Sequence, residues 1–197
     1  MLNRPVLRPG DIWFKDSQKG GAKVVKFLMQ SPTVWHQLIR WIKGTLEPVL
    51  TYHPGIIASN DVTYEQQWLV QTKETEDVLN GDNRLIIFRR RGLTQGDQYA
   101  ILNIAKREMG QKWGVVHTIF GRFPTWLTGI PYFARYVKLP NEEVSAGRVA
   151  RWMYLAWGET FGHKRYTEAT THTMVKWCFS HPETYEVVYD SEANRQQ

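Results

Sequence analysis

Apolar positions along this chain recur in two rhythms. Short runs with a period near two mark strands, and longer stretches with a period near 3.6 mark helices. In "LRPGDIWF" a Pro-Gly-Asp turn leads into Ile12, Trp13 and Phe14, which predicts a short strand. "GGAKVVKFLMQSPTVWHQLIRWIKGT" carries Val24, Val25, Phe27 and Leu28, then Trp35, Leu38, Ile39 and Ile42, at helical spacing. It predicts one helix ended near Ser31-Pro32 and a second with Gly44 past its end. "HPGIIAS" and "YEQQWLVQT" read as strands joined by an Asn60-Asp61 turn, with Glu65, Gln67 and Leu69 on one face of the second. "GDNRLIIFRRR" predicts a further strand.

"LTQGDQYAILNIAKREMG" gives the clearest helix. Thr94 and Asp97 form a capping box with Asp in place of Glu, Ile101, Ala105 and Met109 make the apolar stripe, and Gly110 is the expected C-terminal cap. "QKWGVVHTIFGRFPTWLTGIPYF" reads as an irregular aromatic loop with short helical turns. "NEEVSAGRVARWMYLAWGETFG" predicts a helix with Val149, Trp152, Met153, Ala156, Trp157 and Thr160 on one stripe and Gly162 beyond its end. "TEATTHTMVKWCFSHP" predicts a last helix closed by Pro182, and "ETYEVVYD" a closing strand. No repeat, low-complexity tract or linker interrupts the pattern. The expectation is a single α+β domain over residues 1–197, a small antiparallel sheet packed against helices.

Composition narrows the function classes. The chain has 197 residues, 42% of them hydrophobic, which is a globular composition with enough chain for a sizeable core. No apolar run approaches the roughly 20 residues of a membrane span. "MLNRPVLRPGD" lacks the apolar core of a signal peptide, so nothing marks the protein for export by that route. A net charge of +6 favours contact with polyanions or an anionic surface. Lys23, Lys26, Arg40 and Lys43 make the early helices basic, a feature of membrane-surface helices and, more commonly, of helices packed on their own domain. Arg89, Arg90 and Arg91 form the one basic run, and such a run is more commonly a solvated strand end than a phosphate site. No specific nucleic-acid motif is present. The six histidines show no metal-ligand spacing, and neither a metal nor a cofactor is expected. Nine tryptophans suit a groove for peptide or glycan, although Trp126, Tyr132, Phe133 and Tyr136 equally serve to pack the long loop. His36 and His117 read as helix-face or loop residues.

The order of these signals resembles a known family, the circularly permuted papain-like proteins related to the NlpC-type cell-wall peptidases. Its members open on a "pGDi" strand, continue through a helix to a "sHvGiv" strand, a "viEa"-like strand, an arginine-ended strand and a helix running into "Gk.Y", and close with a "CSElv" helix and a terminal segment. Here the corresponding stretches are "RPGDIWF", "YHPGIIAS", "VTYEQQWLV", "LIIFRRRGLT", "AKREMGQKWG" and "HPETYEVVYD", in that order and over nearly the whole chain. The resemblance implies a permuted papain-like fold and a Cys-His site acting on amide or thioester bonds, with cell-wall peptidoglycan as a candidate substrate. It places the catalytic histidine at His53, its polar partner at Glu65, and an aromatic after the helix at Trp113.

Chemistry of that kind needs a thiolate, an imidazole to take and return its proton, and a third group to orient the ring. The chain has one cysteine, Cys178, so the enzyme reading must use it and no disulfide can form within the chain. Cys178 falls near the end of its helix, where partial negative charge raises a thiol pKa. The stretch that better matches the cysteine helix is "VARWMYLAWGETFG", which puts the nucleophile position at Val149 or Ala150. Two placements therefore stand. Either Cys178 attacks, with His53 as base and Glu65 as orienting group, or the fold is kept without its thiol. In the second case Cys178 is core filler and the chain is an inactive structural or binding module, such as a phage virion component that docks on a partner protein in a larger assembly.

Overall fold

The computed structural model describes residues 5–16, 52–67, 69–80, 83–112 and 145–195. Both helices expected between residues 23 and 43, the aromatic loop from Trp113 onward, His36, His117, Trp126, Tyr132, Phe133 and Tyr136 lie outside the described residues.

Among the described residues six strands form one open antiparallel sheet: β1 (Ile12–Asp16), β2 (Tyr52–Ile57), β3 (Val62–Gln66), β4 (Val70–Glu74), β5 (Leu85–Arg90) and β6 (Tyr185–Asp190). Their order across the sheet is β4-β3-β2-β1-β5-β6, so among the described strands β1 is internal and β4 and β6 are outermost. The helices are α1 (Thr75–Leu79), α2 (Gln95–Arg107), α3 (Ser145–Trp157), α4 (Thr171–Ser180) and α5 (Ser191–Arg195), with a 3₁₀ turn at Tyr166–Glu168. The architecture is thus α+β, as the alternation of rhythms predicts.

Ile12, Trp13 and Phe14 are all buried because β1 is covered on both faces. Ile12 and Phe14 face the same way as Ile56, Ile86 and Phe88, and this side carries the main core with α2, α3 and α4. Trp13 faces the other way with Ile57, Leu85 and Ile87, in a smaller core closed by Val78 of α1 and by Leu7. β1, β2 and β5 alternate between these two layers, which is the period-two rule at work.

Local chemistry explains several element ends. Gly10 turns with φ +90°, and the Asp11 carboxylate accepts the Arg8 amide at 2.8 Å, closing the turn before β1. At α2, Thr94 Oγ1 accepts from the Asp97 amide and the Asp97 carboxylate accepts from the Thr94 amide. The anticipated capping box is present. Lys15 Nζ donates to the carbonyls of Asp77, Val78 and Asn80, satisfying the last turn of α1.

Four expectations change. "YEQQWLVQT" is not one strand: β3 ends at Gln66 and β4 starts at Val70, and the two pair as a hairpin. α2 ends at Arg107 with Glu108 as its cap, so Met109 leaves the stripe and is partly exposed. Gly110 is not that cap. With φ +77°, it donates its amide to the Val70 carbonyl and ties the helix exit to β4. α3 stops at Trp157, where Gly158 turns with φ +70°, so Thr160 drops off the stripe, while Gly162 lies beyond the end as expected.

Candidate functional site

His53 stands on β2 directly across from Lys15 of β1, and Gly55 is flanked by Trp13 on one side and Glu65 of β3 on the other. All these residues face the α1 side of the sheet. Gly55 matters for its missing side chain. A Cβ built there would collide with the Trp13 indole and lie 2.6 Å from the Tyr64 carbonyl oxygen. Glycine inside a strand commonly marks such a close approach. Trp13 therefore lies over the strand, its ring centroid 5.7 Å from that of His53 and tilted by 53°.

Glu65 is one diagonal step from His53, where backbones are roughly 7–8 Å apart and long side chains can meet. The two side chains do meet: His53 Nε2 is 3.2 Å from Glu65 Oε2. The approach is off the line of a straight hydrogen bond, so the contact is a close polar one that becomes an ion pair when the ring is protonated. The other carboxylate oxygen, Oε1, accepts from Gln67 Nε2 at 2.8 Å and from Gln71 Nε2 at 3.0 Å. Glu65 is 1% exposed, and a carboxylate so buried must be paired. Burial by itself would raise its pKa. The contact and charge of His53, the Gln71 amide and the charge of Lys73 outweigh that and hold the carboxyl below its ordinary value.

Lys15, the direct cross-strand neighbour of His53, is drawn away by the three carbonyls at the end of α1. His53 itself is about a quarter exposed, with a side-chain accessibility of 28%. With Nε2 turned to a buried carboxylate, Nδ1 is left as the ring nitrogen for a further partner.

Cys178 belongs to a different part of the molecule. It sits on α4, buried in the main core with Ile56, Phe88, Met174 and Tyr185. Burial pushes its thiol pKa far up, and the charge of Glu159 adds to the shift. Ile56 and His53 point to opposite faces of β2, so the sheet lies between the Cys178 layer and the imidazole. Of the three residues expected at the site, the structure brings His53 and Glu65 together and leaves the Cys178 thiol in the opposite layer. Val149 and Ala150, the other position considered for a nucleophile, are also buried in that far layer.

Trp13, Gln67 and Gln71 complete the His53 surroundings and were not singled out from sequence. The glycine of "HPG" signals the approach of a large neighbour. Gln71 becomes visible only through the β3–β4 pairing, which sets it directly opposite Glu65. A second buried polar cluster joins α2 to α3. Glu108 accepts from Arg148 Nη1 at 2.9 Å and from Trp152 Nε1 at 2.8 Å, with Arg151 at 3.3 Å. Arg148 is fully buried.

Among the described residues no helix is long and apolar enough to cross a membrane. No protein-family model, curated protein or solved structure matches this chain.

Proposed function

We propose that this chain is a non-catalytic binding module of permuted papain-like type, in which the His53–Glu65 pair holds a polar group of a peptide or peptidoglycan-derived ligand. The observation that carries this reading is the separation of the imidazole and the thiol by the sheet. A base acts on a proton within hydrogen-bond reach or through one water, and a thiol in the opposite core layer offers neither. Glu65 sets the ring so that Nδ1 is the nitrogen that meets the ligand, and the buried Trp13 indole packs beside the ring. Docking of such a module within a larger assembly, such as a virion, fits the same reading.

The His53–Glu65 contact favours a second reading, thiol-dependent amide hydrolysis. That reading requires α4 to release Cys178 from the core. Treatment of the folded protein with iodoacetamide separates the two. Binding of wall-derived muropeptides that is weakened by His53→Ala, unchanged by Cys178→Ala and insensitive to iodoacetamide supports the module. Cleavage of those fragments that disappears in Cys178→Ala overturns it.

A further inference from the structure

β5 leaves the sheet through three consecutive arginines, and the fold gives each a different setting. Arg89 forks onto the Asp11 carboxylate at 2.8 and 2.7 Å and also donates to the Val6 carbonyl. Arg91 meets Glu186 at 3.1 Å and donates to the Pro182 carbonyl. Arg90 faces the other side of the strand, its guanidinium 5.4 Å from the centroid of the Trp157 ring. Its Nε is buried and has no hydrogen-bond partner among the described residues. Arg8 arrives from the turn before β1, its backbone amide held by Asp11 and its side chain exposed.

These four arginines, with Asp11 and Glu186, line one recess of about 190 Å³. Its lining thus counts four arginines against two carboxylates, and both carboxylates are already engaged. Positive charge is left over, on planar groups whose forked donors match the oxygens of an oxyanion. Sequence proximity assigns residues 89–91 to a solvated strand end. The pairing of β1 with β5 is what adds Arg8 and closes the recess.

We propose that this recess binds a small, multiply charged oxyanion of the phosphate class, gripped by Arg8, Arg90 and Arg91, with the Arg89–Asp11 pair as a fixed wall. The volume lies below the roughly 300–1,000 Å³ of pockets that enclose drug-sized molecules, which favours phosphate or pyrophosphate over a nucleotide. The recess shares no residue with the His53–Glu65 site and stands independently of the function proposed for it.

Calorimetric titration of the full chain with phosphate, pyrophosphate and malonate, at ionic strength matched with sodium chloride, tests the assignment. Pyrophosphate should bind with a Kd below about 1 mM, and binding should weaken at least about tenfold in Arg8→Ala and in Arg90→Ala. Arg8 is exposed, so Arg8→Ala should keep its cooperative melt and report on binding alone. Absence of heat with both phosphates overturns the proposal. Equal affinity in wild type and Arg8→Ala does so too, as does tight malonate binding without pyrophosphate binding.

Discussion

Gly55→Ala is the most direct probe of the His53 site. The added methyl would enter the space of the Trp13 indole and lie 2.6 Å from the Tyr64 carbonyl oxygen. Neither neighbour yields easily. Trp13 is 1% exposed and packed between sheet and α1, and the carbonyl belongs to the backbone of β3. Overpacking a close-packed site costs about 1–3 kcal/mol. With one backbone and one ring obstacle, we expect the upper end, about 3 kcal/mol. A chain of this size has a urea m-value of about 3 kcal/mol/M, so the midpoint should fall by about 1 M. The indole should also move relative to His53, and the imidazole proton shifts in NMR should change through the altered ring current. In a Trp13→Leu background the same alanine should cost measurably less, since part of the obstacle is gone. A midpoint unchanged in Gly55→Ala, or an equal cost in both backgrounds, would refute the placement of Trp13 over Gly55.

Three further outcomes follow from the buried polar groups. Glu65→Gln should cost about 1–3 kcal/mol at neutral pH, because the charged acceptor of two amides and the partner of His53 is lost. Since the folded Glu65 pKa lies below its ordinary value of 4.5, its stabilisation is complete above that pH and is lost as the pH falls below it. Urea melts should therefore show a flatter acid limb for Glu65→Gln, and parallel limbs would count against the pairing. Cys178 should resist iodoacetamide until urea unfolds the chain, and Cys178→Ala should cost about 1 kcal/mol as a small core truncation; rapid alkylation of the native protein would contradict its burial. Glu108→Ala should cost about 3 kcal/mol by removing the carboxylate beside the fully buried Arg148, with Gln111 still accepting from that guanidinium, and a melt like wild type would show that the cluster carries little.

Sequence by itself determined β1, β2, β5, β6 and the bodies of α2, α3 and α4, because these depend on nearest neighbours along the chain; it missed α1, α5 and the break between β3 and β4, and it carried α2 and α3 past their ends. The Thr94–Asp97 box, the Pro-Gly-Asp entry to β1, and the stripe of Val149, Trp152 and Met153 are all short-range chemistry. The pairing of His53 with Glu65 was within reach, since a tight turn between two strands makes neighbours of them. Tertiary structure alone decided which face each residue serves. His53 and Ile56 are three positions apart, yet β alternation sends one to the Glu65 side and the other to the Cys178 side. Whether a distant helix covers one face or the other is set by how whole layers bury their apolar area, and no local signal in "VKWCFSHP" reports it. The recess at Arg8 and Arg90 has the same origin, because strand pairing joins residues that the chain holds some eighty positions apart.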